Sequence, residues 1–492
     1  MQGSITLLLP IFLPMIGGIA AGTIPAFKKD DNTRRLLVLA TLAATLGLTV
    51  WQVTGEKSLL TALTVAPGLE LMLAVDDVTR LFGILIAAMW TLSGVFSREY
   101  MKHEGHRSRY DCFFLLSEGA MLGVAFAGNY VTMYLFFEWM TLMTLPMVLH
   151  TQTKGAISAG VKYLLYSFAG AFAGLMGIPF LLKYGTTLTF VPGGVLDPAL
   201  TEGNEGILLG VAFAVILGFS AKAGIFPLHA WLPAAHPEAP APASAVLSGV
   251  ITKAGVIAVI RVVYYQFGVS FLSGTWVQTA LLSVTLLTIL MGSAMAFQEN
   301  VLKKRLAYST VSQVSYILFG LFLMNTQAMT GSVLHILCHS IAKDGLFLCA
   351  GAIIYKTGRK NVDELTGIGK EMPVLMWCFT ICSLALIGIP PMCGFMSKWY
   401  LAVGSLESGI PVISWLGPAI LLISALLTAG YLLPVSIRGF FPGEGFDYGS
   451  LQKKEPNLWM LIPVILLAAL AAFTIWPQPF TELSKAIASE LM

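Results

Sequence analysis

FPLHAWLPAAHPEAPAPAS, residues 226–244, sets five prolines within nineteen residues, between apolar runs at 206–226 and 241–264. Proline offers no N–H and clashes with the preceding helical turn, so this stretch breaks a helix and frees backbone polar groups. Hydrocarbon cannot satisfy such groups; they persist at membrane depth only where they line a cavity inside the protein. A second break, GIPPMCGF (388–395), lies in the other half of the chain. Paired interruptions in two halves are the sequence signature of a transporter built from structural repeats around an ion site near the midplane. No residue-level repeat is evident between the halves.

Working outward, composition fixes the environment. By length, 492 residues could form several soluble domains, but hydrophobic residues make up 56% and charged residues 11%. A soluble protein of this size carries about a quarter of its residues as charges. The sequence therefore predicts a polytopic membrane protein embedded in the lipid bilayer. Net charge of +3 says little about partners, and none of the patterning suggests nucleic acid. The six cysteines are scattered through apolar segments, and Cys378 and Cys382 are four apart rather than in a CxxC pair. Buried structural thiols are the expectation. Haem, flavin and iron–sulfur signatures are lacking, as are a nucleophile–base pair, a phosphate loop and a metal cluster. The sequence predicts neither cofactor, metal nor catalytic residue in this chain.

Apolar stretches long enough to span recur near 4–26, 36–53, 79–97, 111–128, 130–149, 157–182, 206–226, 241–264, 274–297, 306–324, 329–354, 373–402, 412–437 and 457–475. Each has about 18 residues or more, the length a hydrocarbon core requires. About fourteen transmembrane helices are expected. The first apolar stretch lacks a basic flank ahead of it, which predicts a first helix rather than a cleaved signal. Residues 55–75 are less regular and read as an extracytoplasmic hairpin or interfacial piece. Basic residues crowd the loops after odd-numbered helices, as in FKKDDNTRR, SREYMKHEGHRSR, ENVLKKR and YKTGRKNVDELTGIGK. The positive-inside rule then places those loops in the cytoplasm and both termini outside an inner or plasma membrane.

Ionisable residues inside the spans stand out: Glu118, Glu138, Lys222, His229, Lys253, His335, His339, Lys343, Asp344 and Lys398. Each costs roughly 2.5–3.5 kcal/mol on insertion scales. One such residue could be a structural ion pair, but lysines in four separate spans cannot compensate one another. Burial disfavours an ammonium and a nearby carboxylate favours it, so a lysine facing a movable acid can load and release a proton. His335, His339 and Lys343 recur every four residues and so share one helix face over about 12 Å of rise. For Glu138 and Lys222 the competing reading is a static salt bridge. Glu118 reads equally as a pairing group. His229 and His236, in the broken stretch, read as hydrogen-bonding helix ends or as relay members. Asp344 projects about 100° away from Lys343.

FFEWMTL (136–142), AKAGIFPLHAWLPAAHPEAPAPASAVLSGVITKAG (221–255), LKKRLAYSTVSQVSYILFG (302–320), HILCHSIAKDGLFLCAG (335–351) and IGIPPMCGFMSKWYL (387–401) together resemble the antiporter-like membrane subunits of respiratory complex I. That family also covers membrane-bound and energy-converting hydrogenases and multi-subunit Mrp cation/proton antiporters. The resemblance implies two inverted five-helix repeats with discontinuous helices 7 and 12. Helices 1–3 would occupy 1–110, the first repeat 111–264, the second 274–438, and the last helix and tail 457–492. It implies a proton relay of Glu138, Lys222, Lys253, His335, His339, Lys343 and Lys398, with Glu118, His229, His236 and Asp344 as accessory candidates. Asp344 stands where many relatives have a small residue, and Glu118 is outside the usual pattern. The long lateral helix of one complex I subunit is not expected. The implied function is a non-catalytic, proton- or sodium-translocating subunit working among other membrane subunits of a redox complex. The alternative is a subunit of an Mrp-type antiporter without redox chemistry.

Overall fold

The computed structural model describes residues 4–66, 68–444, 446–447, 452–473 and 478–491. Short connecting helices apart, the order begins α1 (Leu9–Thr23), α2 (Asp31–Thr54), a hairpin of β1 (Ser58–Ala66) and β2 (Leu69–Val75), α3 (Asp77–Tyr100) and α4 (Arg107–Phe126). It continues with α5 (Tyr130–Val148), α6 (Lys154–Leu175), α7 (Glu205–Ala223), α8 (Trp231–Glu238) and α9 (Ala241–Phe267). Then come α10 (Trp276–Gln298), α11 (Leu302–Leu323), α12 (Thr326–Thr357), α13 (Pro373–Ile387), α14 (Cys393–Leu406), α15 (Ile413–Phe440), α16 (Leu458–Phe473) and α17 (Gln478–Leu491). The chain is thus an all-α polytopic membrane protein. Among the described residues, eleven helices are long and apolar enough to cross a membrane, and α13 and α16 are apolar but shorter. Positions 474–475, at the end of the last expected span, lie outside the described residues. The irregular 55–75 segment is the antiparallel β1–β2 hairpin.

Both breaks are present, and the first is narrower than its prolines suggest. The chain leaves helix only at 224–230 and again at Ala239–Pro240; α8 is helical in between. Pro233 and Pro242 fall in the first turns of α8 and α9, where an N–H would have had no intrahelical partner anyway. The half-helices α7 and α13 end in the same way. Gly224 (φ 85°) and Gly388 (φ 86°) adopt the left-handed conformation, which glycine reaches without the Cβ penalty of other residues.

Burial is graded across the bundle. The apolar window of α9 is wholly enclosed by protein, and those of α11 and α12 are 94% and 89% buried. Most polar side chains on these helices are packed against protein. Two π-helical segments, Leu247–Ile251 and Arg261–Phe267, interrupt α9; such widenings often mark functional positions.

The basic loops gather at one end of the bundle. There Arg34 donates to Asp111 (2.8 Å) and Arg107 to Asp31 (2.6 Å), and Arg359 forms an ion pair with Glu371 (2.9 Å). At the other end, the fully buried Arg261 donates through Nη2 to Asp76 (3.0 Å), which also caps α3 by accepting from Thr79 N–H. Removing one partner of a buried pair strands the other charge, at about 3–5 kcal/mol. Asp76→Ala should therefore lower the thermal stability of the detergent-solubilised protein sharply, whereas Asp77→Ala, facing the exposed Lys57 and the half-buried Arg80, should cost about 1 kcal/mol or less. Equal melting temperatures for the two variants would contradict this placement.

Candidate functional site

Six of the ionisable residues of the spans, Glu138, Lys222, Lys253, His339, His335 and Lys398, follow a line through the bundle interior. At one edge, Glu138 on α5 is partly exposed between the exposed Leu135 and Trp139. It interacts electrostatically with Lys222 in the last turn of α7, yet no salt bridge joins them. The Lys222 ammonium donates instead to three hydroxyls: Tyr163 (2.6 Å), Thr141 (3.0 Å) and Ser167 (3.1 Å). It also lies 4.2 Å from the centre of the Tyr163 ring.

The centre is built on α9 and α12. Lys253 Nζ contacts His339 Nδ1 at 2.5 Å and donates to the Ser248 carbonyl at 2.9 Å. His339 and His335 are a helical turn apart, with ring centroids 6.2 Å from each other. His335 Nδ1 bonds Ser397 Oγ (2.9 Å) and its ring stacks on Tyr316. Lys398, the residue after Ser397, lies 5.1 Å above the other part of that assembly, the Tyr316 ring. Its ammonium donates to the carbonyls of Leu386 and Ile387, both at 2.8 Å, the freed C-terminal end of the half-helix α13. Lys398 is partly exposed, so both ends of the line reach the edge of the chain while Lys222, Lys253, His339 and His335 are buried.

Lys343 occupies a branch. Its ammonium donates to the Leu306 carbonyl on α11 (2.9 Å). His236, fully buried with both ring nitrogens lacking a hydrogen-bond partner among the described residues, stacks on Phe347 and sits within electrostatic reach of Lys343 and Lys303. Lys303 in turn lines a cavity of about 410 Å³ at the basic end, with Glu104, Glu238 and Lys360. The branch thus leads from the line towards the basic loops.

The salt-bridge reading fails on geometry. Among the described residues, none of Lys222, Lys253, Lys343 and Lys398 pairs with a carboxylate; hydroxyls, carbonyls and one imidazole hold them. Neutral acceptors of this kind serve an ammonium and, after small rotations, an amine. Glu118, buried in α4 with neither oxygen partnered, joins no member of the line. His229 lies in the turn of the first break, stacked on Phe226, and bonds to no relay member. Asp344 is buried, turned away from Lys343 and towards α9. Reading the sequence missed Thr141, Tyr163, Ser167, Tyr316, Ser397 and Lys303. Hydroxyl residues are frequent in any apolar helix, and only contacts between distant segments single these out. Among the described residues, no group of three or more His, Cys, Asp or Glu could hold a metal ion.

A polytopic bundle with two broken helices and a buried line of lysines and histidines defines a class of membrane proteins that move ions. Residues 127–428 match the family described as NADH:quinone oxidoreductase/Mrp antiporter, transmembrane, and the chain belongs to this family. It is 31% identical over 473 residues to NADH-quinone oxidoreductase subunit N of Desulforudis audaxviator, covering 94% of this chain and 92% of that one. It is 25% identical over 491 residues to a Na(+)/H(+) antiporter subunit of Bacillus subtilis, covering 96% and 95%. A chain in the structure of the Mrp complex from Dietzia sp. DQ12-45-1b shares the fold, with TM-score 0.84 at 20% identity over 99% and 98% of the two chains.

If Lys222 depends on its hydroxyl cradle, Tyr163→Phe should keep the ring but remove the shortest acceptor. A hydrogen bond to a charged group contributes about 1.5–3 kcal/mol. Ion transport by the reconstituted assembly should fall by about tenfold or more, and Tyr163→Phe/Ser167→Ala should fall further. Wild-type transport in the double variant would show that the cradle is dispensable.

Proposed function

We propose that this chain is a proton-translocating membrane subunit of a complex I-like or membrane-bound hydrogenase-type redox complex. It would work among other membrane subunits that carry the redox chemistry, and would hold no cofactor itself. The observation that carries the reading is the line from Glu138 to Lys398, whose ammonium groups rest on neutral acceptors. A proton enters or leaves each lysine without dismantling a contact ion pair. Charge shifts at Glu138 act on Lys222 through space, and His339 and His335 carry the link from Lys253 towards Ser397 and Lys398. Lysine and imidazole both bind protons and the ammonium groups repel metal cations, which favours the proton as the ion of this line. The branch through Lys343, His236 and Lys303 supplies access from the basic-loop end.

The second reading, an Mrp-type antiporter subunit without redox chemistry, is supported by the likeness to the Bacillus subtilis protein over nearly the whole chain. Genes beside this one discriminate: hydrogenase-like, quinone-reductase-like or ferredoxin-type subunits favour the first, a compact set of small membrane proteins the second. The paired breaks and matching glycine ends support the inverted-repeat arrangement. Clustering of the basic loops at one end supports a cytoplasmic assignment for that end, with the termini opposite.

Four variants test the line and its branch in reconstituted, correctly assembled complex. Lys253→Met and Lys343→Met should each abolish coupled proton transport. Glu138→Gln should reduce it strongly, with Glu138→Asp retaining part. Transport at the wild-type rate in both lysine variants would leave the line structural and sink the proposal. For orientation, a cysteine at the exposed Lys102 should react with an impermeant reagent only from the cytoplasm, and one at the exposed Glu202 only from outside. The opposite labelling would invert the assignment.

A further inference from the structure

We propose that Asp344 is an additional proton-binding group of the central site, paired with Lys253 on the facing helix rather than with its chain neighbour Lys343. The proposal rests on the reading of the line as a proton path. Consecutive helical residues project about 100° apart, and the two side chains diverge accordingly. Lys343 reaches to the Leu306 carbonyl on α11. The Asp344 carboxyl turns to α9, where its Oδ1 occupies the space that a Cβ on Gly249 would take. Only a glycine leaves room for it. One turn earlier on α12, Ser340 Oγ donates to the Gly249 carbonyl at 2.6 Å and fixes the two helices at this level.

Gly249 precedes Lys253 by four residues, so both lie on the same face of α9. Lys253 is the basic group with which the Asp344 carboxyl interacts electrostatically. From α12, His335, His339 and Lys343 complete the titratable groups around Lys253. From α3, Ser93 faces the carboxyl on its other side. Ser93 lies close enough to act on the carboxyl as a hydrogen-bond donor, neither Asp344 oxygen nor Ser93 Oγ makes a hydrogen bond of full geometry among the described residues, and both side chains are fully buried. Burying a polar group without full hydrogen bonds is costly, and a second protonation state of the site changes what the carboxyl and its neighbours can donate and accept.

That other state is a proton transfer. The Asp344 carboxylic acid gives its proton to the Lys253 amine, leaving carboxylate and ammonium; the reverse step restores both neutral groups. The pair has no net charge before or after, so the central site can hold a proton without a lone buried cation. This repeats at the centre the relation of Glu138 to Lys222 at the edge. In each, an acid with an unpartnered oxygen faces a lysine that is held by neutral acceptors.

The test is infrared difference spectroscopy of the purified, assembled complex taken through a pH titration, read at the carboxyl C=O stretch. Asp344→Asn should delete one buried-carboxyl band. Lys253→Met should shift that same band, and Lys343→Met should leave it in place. A band that moves with Lys343→Met and not with Lys253→Met overturns the pairing. In transport, Asp344→Asn keeps the size of the side chain but removes the charge that favours an ammonium on Lys253. The pH profile should move to lower pH, and an unchanged profile counts against the proposal. Gly249→Ala should reproduce the transport defect by displacing the carboxyl, and should add nothing in an Asp344→Ala background; an added defect there would make Gly249 a packing residue only. Should Asp344→Asn fail to assemble, the Lys253→Met and Gly249→Ala spectra on native Asp344 still decide. Wild-type transport by the lysine variants would defeat the proton-path reading, while the spectra would judge the pairing independently.

Discussion

The structure depends on one constraint, that an ammonium inside a membrane protein must find acceptors in the protein itself. Irregular backbone supplies them here. The break after Ile387 leaves the last carbonyls of α13 without intrahelical partners, at the negative end of the helix dipole, and the Lys398 ammonium occupies that end. The π-helical segment of α9 lies immediately before Lys253, whose ammonium bonds to the Ser248 carbonyl within it. A regular helix would have committed these carbonyls to its own N–H groups. The prolines and π segments that weaken the helices are thus the same features that make buried lysines tolerable.

Surrounding packing keeps these features enclosed and fixed. α9 is enclosed along its length, and α11 and α12 nearly so, while the outer helices α1, α2 and α15 present many exposed apolar side chains to the bilayer. Glycine permits the close approaches that this enclosure needs: Gly255 packs against the backbone of Phe219 and Ala223 on α7, and Gly331 against that of Ser397 and Leu401 on α14. The first contact sets Lys253 beside the half-helix bearing Lys222. The second sets the histidine face of α12 beside Ser397 and Lys398.

Much of this was legible in the sequence. Apolar length and the proline clusters gave the bundle and its two breaks, and charge in apolar context singled out every lysine of the line. The four-residue spacing of His335 and His339 correctly put them on one face. Lys343 follows at the same spacing, but its long side chain carries the ammonium away to the Leu306 carbonyl on α11. Asp344 illustrates the reverse limit. Sequence sets it beside Lys343, but its side chain turns to α9, into the room that Gly249 leaves. The hydroxyl cradle of Lys222 draws Thr141, Tyr163 and Ser167 from α5 and α6, and no local pattern marks residues whose role exists only after three helices meet.

Why neutral acceptors rather than ion pairs hold these lysines follows from magnitudes. Two unit charges about 4 Å apart attract by about 4 kcal/mol at an effective dielectric of about 20, which is about three pKa units. A lysine in contact with a carboxylate would therefore keep its proton against a roughly thousandfold bias, and a chain of such pairs would be a set of traps. A carboxylate withdrawn beyond contact acts more weakly and falls off with distance. It can bias a lysine towards its charged form without locking it there. Glu138 stands in this relation to Lys222, close enough to be felt and without a salt bridge. Small changes in that separation would then move a proton that a contact pair would have held in place.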